Sequence, residues 1–181
     1  MHIQRNVDSV LWEKLSPYFS RIEVPARTTL LREGEISKKM FFIEKGCLRT
    51  WINNEGKEIT TQFFFEGDSV SSIESFRTNQ PSLYSIESLE PCVLHTISQK
   101  DFKHIIENSP ELRKAFEERL FKRLFYAQQL FYSYLKNNPQ RRYEELLERH
   151  PYIIQRVPQH YIASYLGITS VSLSRIRNRR R

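Results

Sequence analysis

Short, polar and cationic side chains crowd the stretch 169–179: Thr169, Ser170, Val171, Ser172, Arg175, Arg177, Asn178 and Arg179. These types suit a helix lying in the major groove of DNA. Short side chains let a helix approach the base edges, a valine can touch a thymine methyl, and an arginine can pair with guanine O6 and N7. Such a face needs an anchored back. Leu173 and Ile176, three residues apart, supply one buried stripe. Upstream, Ile162 and Leu166 share a face of a first helix, and Ala163 leaves room for the second helix to come close. Gly167 takes positive φ at low cost after a helix, and Thr169 or Ser170 can cap the second helix. The stretch 158–179 therefore has the pattern of a helix-turn-helix.

Charge supports that pattern. The chain of 181 residues has a formal net charge of +7. From Gln140 to Arg181 there are nine arginines against three glutamates, whereas Met1 to Pro139 is nearly balanced. A basic end on a balanced body is the footprint of a phosphate-binding module joined to something else. Arg177, Arg179, Arg180 and Arg181 are expected to meet phosphates, each steepening the salt dependence of binding.

The elements that carry this module can be read from periodicity. Val7, Val10, Leu11, Leu15 and Phe19 predict an amphipathic helix over 7–19. Residues 22–98 then change period, with short β-branched and aromatic runs (IEVP, TTLL, MFFIEKG, CLRTWI, EITTQFF, YSIESLE, CVLHTI). Four of the five glycines, Gly34, Gly46, Gly56 and Gly67, fall between these runs, and Asn54-Glu55-Gly56 reads as a hairpin tip. This spacing argues for a roll of antiparallel strands. Residues 99–107 predict a short helix. Ser109 and Pro110 then open a long one reaching Lys136, with no glycine or internal proline. Leu120, Leu124, Ala127, Phe131 and Tyr134 form a heptad seam along it, flanked by Phe121, Phe125, Tyr132 and Leu135. A helix apolar on two faces needs two partners. The expected partners are its own β-domain and the same helix of a second subunit. Residues 140–149 predict a further helix, and YIIQRVP reads as extended.

Other chemistry finds little support. Two cysteines, Cys47 and Cys92, are too few for a disulfide framework or an all-cysteine cluster, and both lie in apolar strands. The five histidines stand at no metal-ligand or triad spacing, and no glycine-rich phosphate loop or nucleophile elbow occurs. No catalytic residue, metal or cofactor is expected. No stretch reads as a signal peptide or a membrane span, so a cytoplasmic location is expected.

The order of elements resembles the Crp/Fnr family of bacterial transcription regulators. The residues that carry the likeness are Gly34-Glu35, Phe42-Ile43-Glu44-Lys45-Gly46, Gly56-Lys57-Glu58, Phe65-Glu66-Gly67-Asp68, and Ile162–Thr169 with Leu173-Ser174-Arg175-Ile176. The fold implied is α+β: a cyclic-nucleotide-binding-like antiparallel β-roll over 1–109, a dimerisation helix and hinge over 110–138, and a winged helix-turn-helix over 139–181. The function implied is sequence-specific regulation by a homodimer on near-palindromic double-stranded DNA, with an RNA polymerase contact if it activates. The family also includes haem and redox sensors, so Cys47, Cys92 and His95 stand as an alternative sensing set.

Two departures from the family pattern matter. Cyclic-AMP-binding members place a glycine and a glutamate on the ribose, and an arginine and a serine on the cyclic phosphate. Here those positions fall on Ser71, Ser72, Ser82 and Leu83. A buried phosphate without its arginine lacks its main counter-charge, and Arg77 falls in a predicted loop. Cyclic AMP is therefore not the expected effector. Either the pocket takes another small molecule through Ser71, Ser72, Glu74, Ser82, Leu83 and Tyr84, or it is vestigial. On the recognition helix, Ser170 and Val171 replace an arginine and a glutamate, which predicts a different operator, with one guanine still read by Arg175.

Overall fold

The computed structural model describes residues 15–178. The chain divides into two compact units, one running to His104 and one from Ile105. Most of the helix expected over 7–19 lies outside the described residues, as do Arg179, Arg180 and Arg181. Within them, Ser16–Tyr18 form one 3-10 turn.

The first unit is a roll of eight antiparallel strands: β1 (Ser20–Val24), β2 (Thr29–Leu31), β3 (Lys39–Lys45), β4 (Leu48–Asn54), β5 (Lys57–Phe64), β6 (Ser69–Val70), β7 (Ser85–Ser88) and β8 (Cys92–Ser98). They form two four-stranded sheets, ordered β1-β8-β3-β6 and β2-β7-β4-β5. Alternation in the strands turns Phe41, Ile43, Leu48, Phe64, Ile86 and Leu94 into a shared core. Each such side chain contributes about 1.5–3 kcal/mol on burial. The β4–β5 hairpin closes through Glu55 (φ 52°) and Gly56 (φ 82°), the two positive-φ positions a tight hairpin demands. The Asn53 side chain accepts from the Gly56 amide at 2.9 Å.

Two short elements depart from the sequence expectation. β6 has only two residues, too few to show a period. α1 (Ile73–Thr78) occupies the stretch expected as a loop and ends at Asn79 in the left-handed region. Arg77 therefore lies in a last helical turn, where a cation is favoured. α2 (Gln99–Asn108) comes directly after β8.

The second unit contains α3 (Pro110–Lys136), α4 (Pro139–Arg149), α5 (Pro151–Arg156), α6 (Gln159–Tyr165) and α7 (Ser170–Asn178). Side-chain oxygens of Ser109 and Asn138 cap α3 and α4, and proline takes the first position of each. Of the stretch 152–158, expected to be extended, residues 152–156 are helical. Pro151 fixes φ at the start of α5 and overrides the strand preference of Ile153 and Ile154. Tyr143, Leu146, Ile153, Val157, Ile162, Ala163, Leu166 and Leu173 are buried here. Among the described residues no strand comes after β8, so the wing implied for 139–181 is not among them.

The β3–β4 link depends on one glycine. Gly46 has φ +110°, and a Cβ there would lie 2.4 Å from Cys92 Sγ and 2.9 Å from Cys92 Cα. Gly46→Ala should lower stability by about 3 kcal/mol, through backbone strain and overpacking together. Urea denaturation monitored by the near-ultraviolet signal of Trp51 measures this.

Candidate functional site

Three places in the chain gather functional chemistry. The first is the outer face of α7. Gly167 turns the chain at φ +67° after α6, and Thr169 Oγ1 accepts from the Ser172 amide at 3.1 Å, making Thr169 the cap. Leu173 is buried and Ile176 half-buried, so the opposite face is fixed outward. Ser170, Val171, Arg175 and Asn178 are exposed on that face. Ser174 stands among them, four residues after Ser170 and four before Asn178, a position that helical spacing alone could have supplied. Ser172 and Arg177 lie half-buried on the flanks, and the Ser172 hydroxyl pairs with Thr169 Oγ1 at 3.0 Å.

The second place is the segment of the roll on which the resemblance puts a ligand cassette. Ser71 and Ser72 are buried. Ser71 Oγ donates to the Lys39 carbonyl at 3.1 Å and lies 3.0 Å from Ser37 Oγ. The Tyr84 hydroxyl donates to the Ser71 carbonyl at 2.9 Å, and Ser82 Oγ donates to the Tyr84 carbonyl at 2.7 Å. These bonds pin the segment around α1 to the roll. Glu74 is exposed on α1, and Leu83 is 68 % exposed. One residue absent from the sequence expectation dominates this unit: Arg49, only 1 % exposed, on β4. Its Nε donates to Glu87 at 2.8 Å across the strand pair, Nη1 donates to Thr60 Oγ1 at 3.2 Å, and Nη2 pairs with Glu58. Its guanidinium lies 5.3 Å from the Trp51 ring, whose buried Nε1–H has no acceptor among the described residues. An arginine inside an apolar strand, with a glutamate in a later strand, was the available signal.

The alternative sensing set is arranged differently. Cys47 and Cys92 are buried, and Cys92 Sγ donates to the Glu90 carbonyl at 3.1 Å. His95 Nε2 pairs with Glu44 at 2.7 Å. Among the described residues no group of three metal-ligating side chains comes together.

The third place is an open cleft within the second unit. It lies between α3, α4 and α6, and no sequence signal announced it. The Tyr126 and Tyr165 hydroxyls are 2.6 Å apart, and the Tyr134 hydroxyl donates to the Tyr165 carbonyl. Burial pushes all three phenols up, so they stay protonated. Arg142 lies over the Tyr134 ring at 4.6 Å and donates from Nη1 to the Asn137 carbonyl (2.9 Å) and from Nη2 to the Leu166 carbonyl (2.8 Å). Its buried Nε–H has no acceptor among the described residues. Leaving such a donor unpaired costs about 1–3 kcal/mol. Glu145 accepts from Ser133 and Asn137 at 2.7 and 2.9 Å. Tyr134, expected in a seam, is thus held partly by its own unit. The rest of the seam is presented outward: Leu124 is 51 % and Phe131 60 % exposed, Ala127 is exposed and Leu120 half-buried. Phe121, Phe125, Tyr132 and Leu135 are exposed beside it.

Comparison with known proteins fits these observations. Residues 21–109 match the family model of the cyclic nucleotide-binding domain. The cAMP-activated global transcriptional regulator CRP of Salmonella typhimurium is 26 % identical over 101 residues, covering 55 % of this chain and 48 % of the relative. This chain thus spans about half the length of that relative. The Pycsar effector protein XpPycTIR of Xanthomonas perforans is 30 % identical over 114 residues, covering 63 % of this chain but 36 % of that protein. The solved structure of CLP, a c-di-GMP-responsive global regulator of Xanthomonas campestris, shares the fold with TM-score 0.78 at 18 % identity, over 95 % of this chain and 91 % of that one.

Burial and the neighbouring Arg149 lower the His150 pKa below its ordinary 6.5. The unfolded chain then binds the proton more readily than the folded one. Stability should fall as the pH drops from about 6.5 towards the folded value, and level off below it. Melting temperatures at pH 7.5 and 5.5 test this, and His150→Gln should flatten the difference.

Proposed function

We propose that this chain, whose residues 21–109 form a member of the cyclic nucleotide-binding domain family, is a transcription regulator of the Crp/Fnr kind that binds DNA as a homodimer. The observation that carries the reading is the outer face of α7: short and cationic, exposed, and anchored behind by Leu173. In this reading α6, the Gly167 turn and α7 act as a helix-turn-helix, with α7 in the major groove. Thr169, Ser170, Val171, Ser172, Arg175 and Asn178 face the bases, and Ser174 joins them. Arg177 and Arg179 neutralise phosphates.

The functional division is 1–109 for sensing, 110–138 for dimerisation and hinge, and 139–181 for DNA binding. Leu120, Leu124, Ala127, Phe131 and Tyr134 meet their counterparts in a second copy, as the exposed Leu124, Ala127 and Phe131 along this heptad seam demand. Two recognition helices related by a two-fold axis then sit about 34 Å apart, one turn of DNA. A small-molecule effector would act on the equilibrium between dimer geometries. That effector is not cyclic AMP. Ser71 and Ser82 make hydrogen bonds within the protein, Leu83 stands where the family's phosphate serine falls, and the buried cation Arg49 is already matched by Glu58 and Glu87. The dimer works in the cytoplasm and contacts RNA polymerase if it activates.

Selection from random double-stranded DNA by the purified protein should recover a two-fold symmetric motif. Failure to bind DNA at low salt would sink the reading. Arg175→Ala should relax specificity at one position per half-site and cost about 1–3 kcal/mol there. The double change Leu124→Glu with Phe131→Glu should give monomers in sedimentation velocity and abolish binding to the symmetric site. A dimer that survives both charges would place the interface elsewhere.

A further inference from the structure

The cleft of the second unit shares Tyr134 with the dimer seam proposed above, and its chemistry is selective. Its walls are the rings of Tyr126, Tyr134 and Tyr165 with Leu130 and Leu146. Two guanidiniums, Arg142 and Arg149, line it with one carboxylate, Glu145, which also pairs with Arg141 at 3.9 Å. Glu145 is already bonded by Ser133 and Asn137. The terminal nitrogens of Arg142 hold two backbone carbonyls, while its Nε–H is buried and lacks an acceptor among the described residues. The missing partner is thus an acceptor, and the two guanidiniums of the lining favour an anionic one on a body that suits aromatic walls.

We propose that this cleft binds a small aromatic or apolar monocarboxylate, its carboxylate taken by Arg142 with Arg149 at the rim. Inorganic phosphate has no body for the tyrosine walls. Arg142 joins the carbonyl of Asn137, at the end of α3, to the carbonyl of Leu166, at the end of α6. A ligand on its third edge completes that guanidinium and stiffens the tie between the long helix and α6. The site thus sits where a small acid would set how firmly the end of the chain is held. Binding itself does not rest on the DNA reading, because it is measured without DNA.

The test is calorimetry on the full chain with benzoate, its neutral counterpart benzamide, and inorganic phosphate. Benzoate should bind at least tenfold more tightly than either of the others and raise the melting temperature. Arg142→Lys should weaken benzoate at least tenfold, and Arg149→Gln at least threefold, with circular dichroism showing both variants folded. Equal binding of benzoate and benzamide would overturn the proposal, as would equal binding of phosphate or the absence of any benzoate heat. Should Arg142→Lys not fold, Arg149→Gln decides alone: undiminished affinity there overturns the assignment.

Discussion

A guanidinium withdrawn from water must carry its counter-charge with it. Arg49 is almost wholly buried, and the roll is arranged to answer it: β5 brings Glu58 and Thr60, and β7 brings Glu87. Three strands of one sheet are thereby tied through a single side chain. Removing one partner of such a set leaves an uncompensated charge and typically costs about 3–5 kcal/mol, whereas replacing the whole set by apolar groups can be neutral. The triad is thus better understood as fixing the register of β4 against β5 and β7 than as a reserve of stability.

The same constraint governs the serines. Ser37, Ser71, Ser75, Ser82 and Ser88 are buried, and their hydroxyls bond to backbone or to each other. A cassette whose serines are bonded this way has those polar groups satisfied from within. An effector entering it would have to exchange those bonds for its own, with little net gain per bond.

The strands were legible because β-branched and aromatic residues alternate with turn glycines, and α3 because its cap, proline and seam run unbroken along its length. The elements that escaped were short or dispersed. β6 has two residues, and α1 lacks a stripe over its six. In α5, two isoleucines suggested a strand while Pro151, at the first helical position, decided the matter. On α7 the spacing placed most of the outward side chains, while the exposed Ser174 and the half-buried state of Ser172 and Arg177 came from the structure. Arg49 and Glu87 are 38 positions apart, and Tyr126 and Tyr165 are 39 apart, so no local pattern could reveal the triad or the tyrosine cleft.

Both cysteines of the chain belong to the roll, and both are sealed: Cys92 lies beneath Gly46, and Cys47 leads into the next strand. The second unit has no thiol. Thiol reactivity is therefore a clock for the opening of one unit alone. A reagent that finds Cys47 and Cys92 counts how often the roll comes apart and is blind to every motion of the helices beyond it.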